Sequence, residues 1–372
     1  MEYQQIYLNN DIRAEISYFY KKEKISECHA VFHVLSCGEN YVYQLAKLYE
    51  AYADFLEKTG LIPVFNRYFL SDIENQINDL QVVLNNSGHG AVSIIQQPPL
   101  NGSKIALWVW LMPEAENINI QGGNGLTGFR CDRYTHYFAG QMCEVSGSPE
   151  TQTHQILNRY ENALERAECS MENNCVRTWL FVSDIDNNYA GVVQGRKKIF
   201  NDRNLTENTH YIASTGIAGR HSNPQTILTF DAYAVEGLRQ EQIQFLYAPD
   251  HLSRTSDYGV TFERGVCLHF EHKKQVFISG TASIDKTGHV VHEGDVIKQA
   301  DRMIENVSEL LKEADMDFSH MAQIIVYLRD IADYDVISAK MEKEFPQVPK
   351  IIVFAPICRP AWLVEMECIA LK

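Results

Sequence analysis

Residues Asp295 to Phe345 read DVIKQADRMIENVSELLKEADMDFSHMAQIIVYLRDIADYDVISAKMEKEF, and Glu150 to Phe200 read ETQTHQILNRYENALERAECSMENNCVRTWLFVSDIDNNYAGVVQGRKKIF. The two stretches repeat one another. In the later copy Val296, Ile297, Ala300, Ile304, Val307 and Leu311 recur at helical spacing; in the earlier one Ile156, Leu157, Tyr160, Ala163, Leu164 and Ala167 do. Each set lines one face of a helix, which must be buried against something else. A short turn follows, then an apolar strand ending in Asp-Ile, IIVYLRDI or WLFVSDI. A second helical stretch comes next, with Tyr334 matching Tyr189 and Phe345 matching Phe200.

Outward from these stretches the likeness continues. Each copy closes on a strand, TILTFDAYAV (Thr226 to Val235) or AWLVEMECIAL (Ala361 to Leu371). Upstream, HYFAGQMC matches VFISGTAS through Gly140 and Gly280. The separation is far longer than the roughly 20 to 50 residues of a solenoid repeat, so the copies are two related domains. The reading is α+β: a first domain over 86–240 and a second over 250–372, each a mixed sheet backed on one face by two helices. Residues 1–85 lie outside the repeat and read as an N-terminal extension packed on the first domain. They hold a strand, HAVFHVLSC, and a helix, YVYQLAKLYEAYADFLEK. GAVSIIQQPPLNGSKIALWVWLM (Gly90 to Met112) reads as a hairpin turning at Pro-Pro-Leu-Asn-Gly. The glycine-rich INIQGGNGLTGFR (Ile118 to Arg130) is no phosphate loop, because no Gly-Lys-Ser/Thr follows it.

The 372 residues, 45% of them hydrophobic, suffice for two or three cores. No apolar stretch approaches the roughly 18 to 20 residues of a membrane span. The opening residues lack the basic and then apolar blocks of a secretory signal. Nine cysteines fall at irregular spacings without a CxxC pair, so free thiols and a cytoplasmic location are expected. A formal charge of −15 argues against a nucleic-acid partner, while an anionic small substrate needs only a few well-placed arginines.

The closing strands carry the sharpest difference between the copies. Glu365 and Glu367 sit two apart in AWLVEMECIAL and so project from one face of the sheet. Aligned with the earlier copy, Glu367 meets Asp231, but Glu365 meets only Thr229. The strand therefore folds without an acid at 365. Just upstream lies a Cys-Arg-Pro turn, Cys358 to Pro360.

Residues 250–372 resemble a RidA (YjgF) domain, chorismate-mutase-like in fold, through FERG (Phe262 to Gly265), FISG, LLKEAD, IVYLRDIADY and CRPAWLVEMECIA. The longer run of strings FVSDIDNNYAGV, HYIASTGIAGR, DAYAVEGL, YAPDHLSRTSDYGVTFERG and FISGTASID, together with the last two, is similar to the chorismatases, enzymes that hydrolyse chorismate and are also called pteridine-dependent dioxygenase-like. These strings span roughly half the chain, from about residue 176 to the end. Residues 1–120 carry little of the likeness. In the RidA family an arginine holds the substrate carboxylate and a glutamate on the last strand supports catalysis, and Glu365 stands at the glutamate's place. Arg359 matches the arginine approximately, since the segment from Cys358 to Glu365 is short. The tyrosine often found early in such domains falls on Phe262, or on Tyr258 with a shifted loop.

This resemblance implies a cofactor-free hydrolase that cleaves the enolpyruvyl ether of chorismate to pyruvate and a hydroxybenzoate or dihydroxycyclohexadiene carboxylate. Breaking that ether needs a proton delivered to the methylene carbon. Burial beside Phe354 or Trp362 would keep a glutamate protonated for the task, and Glu365 is the candidate acid. Two substrate carboxylates call for arginines: Arg359 first, then Arg264 and Arg220. Tyr211 and Thr215 are candidates for the ring hydroxyl, and Cys358 for shaping the pocket. Each also has an ordinary structural reading, as an ion-paired arginine or a core tyrosine. RidA-like domains assemble as trimers, so a homotrimer is implied. Imine or enamine deamination, as in simpler RidA proteins, is the competing activity, and metabolite binding without turnover is another. Ribonuclease activity is disfavoured by the acidic balance, and an iron- or pteridine-dependent oxygenase by the missing two-His-one-carboxylate pattern. No metal site is expected. Cys28, His29, His33 and Cys37 cluster in sequence, but a strand spaces positions i and i+4 by about 13 Å.

Overall fold

The computed structural model describes residues 1–85, 90–118, 120 and 125–372, with only the backbone of Tyr258. Part of the glycine-rich loop Ile118 to Arg130 and the Tyr258 side chain therefore lie outside the described residues.

Three units follow one another. The first runs β1 (Glu2–Tyr7), β2 (Ile12–Lys21), β3 (Lys24–Val34), α1 (Tyr41–Thr59), β4 (Ile62–Leu70), α2 (Ile73–Asn85), β5 (Ala91–Gln96) and β6 (Ile105–Met112). The second runs β7 (Glu116–Ile118), β8 (Leu126–Cys131), β9 (Tyr134–Cys143), α3 (Pro149–Arg166), the single turn α4 (Met171–Asn174), β10 (Cys175–Val182), α5 (Ile185–Asp202), β11 (Ala213–Ala218) and β12 (Leu228–Glu236). The third runs β13 (Ile243–Leu246), β14 (Gly265–His269), β15 (Lys274–Ala282), α6 (Val296–Glu313), β16 (Met321–Leu328), α7 (Tyr334–Glu344), β17 (Lys350–Phe354) and β18 (Val364–Leu371).

All three form six-stranded mixed sheets of the same order: β1-β2-β3-β6-β4-β5, then β11-β10-β12-β9-β8-β7, then β13-β14-β15-β18-β16-β17. The long helix that follows each hairpin starts on a side chain accepting a backbone N–H: Asn40 from Tyr43, Ser148 from Thr151, Asp295 from Lys298. Such caps satisfy donors that the first helical turn leaves open.

The mixed α+β sheets match the expectation for the two repeats, but the first unit differs from it. The segment read as an extension belongs to a sheet of its own, and the boundary expected at residue 85 falls inside that sheet. Gly90 to Met112 is not a hairpin, because β4 lies between β5 and β6, parallel to one and antiparallel to the other. Polar Asn66 and Arg67 interrupt the apolar run of β4, which hides a strand that is almost wholly buried.

Period-two alternation shows how the units assemble. In β6, Ile105, Leu107, Val109 and Leu111 pack under the first unit's helices, whereas Ala106, Trp108, Trp110 and Met112 join a core shared with the other two sheets. Each sheet thus turns one face to its helices and the other to its neighbours. Short bridges then close the ring in turn: Gln96 with Arg220, Ile217 with Ile357, and Pro99 with Val353.

Candidate active site

Register locates equivalent residues in the three units. The last ladder pair of each is Leu70–Ile105, Val182–Leu228 and Leu328–Val364; the next is Phe69–Ala106, Phe181–Thr229 and Tyr327–Glu365. Two pairs further on come Arg67–Trp108, Trp179–Asp231 and Ile325–Glu367. One strand position therefore holds Ala106, Thr229 or Glu365, and another Trp108, Asp231 or Glu367.

Glu367 points into the shared core, where its carboxylate is fully engaged. Arg177 Nη2 lies 2.7 Å from Oε2, Trp179 Nε1 donates to Oε1 at 2.8 Å, and Arg67 Nη1 is 3.8 Å away. Arg67 also pairs with Asp231 at 2.9 Å and lies over the Trp179 ring. Charges from all three units meet here, each with a partner, as burial demands.

Glu365 faces a different space. It lines a cavity of about 200 Å³ between the second and third sheets, together with Arg264, Arg359, Cys358, Ser214 and Tyr189. Only 4% exposed, its carboxyl receives no hydrogen bond from the described residues. Burial, then repulsion from Glu367, pushes its pKa from the ordinary 4.5 up to about 8, with Arg264 and Arg177 pulling the other way. At neutral pH it is a carboxylic acid. Gly280 on β15 makes room for it, since a Cβ there would sit 2.2 Å from Glu365 Oε1. That close approach explains why this strand carries glycine at the position aligned with Gly140.

The arginines differ in place. Arg264 lines the cavity and donates through Nε and Nη2 to Ser253 O. Arg359 reaches it from the Cys-Arg-Pro turn, over the Trp362 ring, with Nη1 donating to Gly288 O at 3.1 Å. Arg220 is elsewhere: it pairs with Glu74 at 2.5 Å and lines a separate cavity with Gln96 and Phe354. The cavity wall beside Glu365 is thus Trp362, and Phe354 belongs to that other cavity.

Thr215 is fully buried behind the pocket. Its Oγ1 accepts from Arg177 Nη2 at 2.5 Å and from Gly280 N at 2.9 Å, tying the second sheet to the third. Tyr211 is a core tyrosine stacked near Phe200. Cys358 does line the cavity, but burial, and then the Glu365 charge, push its thiol up to about 12. It is a neutral wall rather than a nucleophile.

Sequence reading missed three contributions from the second unit. Ser214 and Tyr189 line the pocket, and Gly216 leaves space for the Tyr189 ring, whose Cε2 would lie 2.9 Å from a Cβ. Arg196 on α5 stands behind Ser214. It is 3% exposed, donates to Thr261 Oγ1 at 3.0 Å and Ser214 Oγ at 3.3 Å, and leaves Nη2 without a hydrogen bond. No carboxylate pairs with it among the described residues. Its signal was in the sequence: Val192, Arg196, Ile199 and Phe200 share the buried face of α5, and the matching place on α7 holds Met341. A cation on an apolar stripe, absent from the other copy, is costly to bury without a use.

A family model described as Endoribonuclease L-PSP matches residues 262–372. Over 100 residues the chain is 32% identical to a RutC family protein of Pyrococcus abyssi (strain GE5 / Orsay), covering 26% of this chain and 78% of that protein. The chain belongs to the RutC family. The L-PSP match lies wholly within the third unit, the one that supplies Glu365, and the RidA/YjgF-like reading of that unit stands. Protein DfrA of Myxococcus xanthus is 30% identical over 76 residues, 20% of this chain; the match spans just 58% of that relative's length. In shape, the RutC-family chain is similar to a solved chorismatase, with a TM-score of 0.62 over 83% of this chain and 93% of that one, at 18% identity. That likeness extends to all three units and is one of fold. No described helix is long and apolar enough to cross a membrane.

Proposed function

We propose that the protein is a chorismatase-like hydrolase, cleaving the enolpyruvyl ether of chorismate with Glu365 as general acid. One observation carries the reading: a buried glutamate, protonated at neutral pH and without a hydrogen-bond donor among the described residues, lines a cavity that also holds two arginines. A protonated carboxyl donates its proton to the enolpyruvyl methylene carbon, leaving an oxocarbenium-like centre at the ether carbon. Water adds there and returns a proton to Glu365. The resulting hemiketal collapses to pyruvate and a dihydroxycyclohexadiene carboxylate, while loss of a ring hydroxyl as water would give a hydroxybenzoate. Arg264 and Arg359 hold the two substrate carboxylates, and Arg196 adds positive field through Ser214. No step calls for a metal or an organic cofactor.

The test is pyruvate release from chorismate, with chromatography of the ring product. Turnover by the wild type that is lost in Glu365→Gln supports the reading; near-normal turnover in that variant sinks it. Hydrolysis of an amino-acid-derived imine without pyruvate release would assign the pocket to deamination instead. Tight chorismate binding without turnover would make the protein a binding module.

The homotrimer implied by the resemblance bears on assembly. Three equivalent sheets already close a ring within one chain, so we expect a monomer of 42.6 kDa. Sedimentation at three times that mass would restore the trimer.

A further inference from the structure

The ring has a second cleft equivalent to the catalytic one, between the third and first sheets. Register places Ala106 where Glu365 stands. Lys350, opposite Ile324, takes the place of Ser214, opposite Thr178. Across the hairpins, Ala30 pairs with Ile16 and Val109 as Ile278 pairs with Gly265 and Cys368, so Glu15 occupies the position of Arg264. The proton donor is gone, a lysine stands in place of a serine and a glutamate in place of an arginine. Yet the space persists, as a cavity of about 390 Å³ lined by Arg13, Glu15, His33, Tyr334, Ser338 and Lys350.

Its charges are mostly spent on one another. Burial alone would raise the Glu15 carboxyl, but His33, Lys350 and Arg13 hold it at about 2. It accepts from Lys350 N at 3.0 Å and pairs with Arg13 at 3.1 Å. Lys350 Nζ is taken by Glu342 at 3.1 Å and by Phe345 O. What remains is donor capacity. Arg13 is half-buried and its Nε has no hydrogen bond; His33 is 8% exposed, and its Nε2 has none either, lying 3.5 Å from Glu15. Tyr334 and Ser338 add hydroxyls from α7, and Val34 and Ile352 an apolar wall. A buried imidazole nitrogen that faces one carboxylate without a hydrogen bond, beside a guanidinium with a spare donor, can take a further acceptor.

We propose that this cleft is a second, non-catalytic binding site for a small monocarboxylate with an apolar or ring body. The carboxylate is held by Arg13 and His33, with the body against Val34 and Ile352. Lacking an acid at position 106, the site binds without turning its ligand over.

Sodium benzoate is the probe, with benzylamine as the oppositely charged control, followed by calorimetry on the full chain. We expect benzoate to bind with a Kd of about 1 mM. Arg13→Gln should weaken it at least tenfold, and Ser338→Trp, which fills the cleft without changing a charge, should remove that binding. Thermal melts confirm folding of both variants, and either one alone suffices. No benzoate binding to the wild type at ~10 mM, equal binding by wild type and folded Ser338→Trp, or equal affinity for benzylamine would each overturn the assignment.

Discussion

Glu365 and Glu367 are two residues apart on one face of one strand, and they live in opposite conditions. Glu367 lies among Arg177, Trp179 and Arg67 in the core where the three sheets meet. Glu365, one pleat nearer the strand's start, opens into a cavity and has no donor among the described residues. The first is a paired acid that holds units together; the second is a protonated acid left available. Two carboxyl groups in similar burial can thus be sorted by their partners, because burying a charge costs least where it is paired.

The largest expected effect separates them by activity. Glu365→Gln should lower kcat for pyruvate release by about 10²- to 10⁴-fold while leaving the urea midpoint at pH 5 near that of the wild type. Glu367→Ala should do the reverse to the fold, destabilising it by about 3–5 kcal/mol in urea titration, since Arg177 loses its carboxylate. If Glu367→Ala kept full stability, the structural half of the comparison would fail.

Arg196→Met copies what the third unit carries at the matching place, Met341. It should raise KM for chorismate about 10-fold or more, with a smaller change in kcat and no loss of stability. An unchanged KM would remove Arg196 from the site.

The smallest effect is a pH signature. The folded pKa of Glu365, about 8, lies above its ordinary value of 4.5, so between those values the folded protein binds a proton that the unfolded chain releases. Stability from this group is full below about pH 4.5 and is lost as pH rises through about 8. Glu365→Gln should therefore gain in Tm relative to the wild type from pH 5 to 9, and kcat should fall above about pH 8. A flat Tm difference across that range would place the carboxyl in water.

The sequence by itself determined a good deal. The 145-residue offset between Tyr189 and Tyr334, with helical spacing before and after it, gave two related α+β units and their closing strands. The same alignment isolated Glu365 as the acid with no counterpart, because strand periodicity fixes which residues share a face. A long-range pattern of this kind survives in one dimension.

Only the tertiary structure decided the rest. The first unit has the same sheet order but no legible repeat, since backbone hydrogen bonds, not side-chain identity, define a ladder. Arg359 and Arg264 converge on Glu365, while Arg220 goes to Glu74, Thr215 to Arg177 and Tyr211 to the core. Sequence spacing within the third unit cannot reveal that Ser214, Tyr189 and Arg196 arrive from the second. A site built between units is set by how sheets pack, and packing joins residues that no local pattern links.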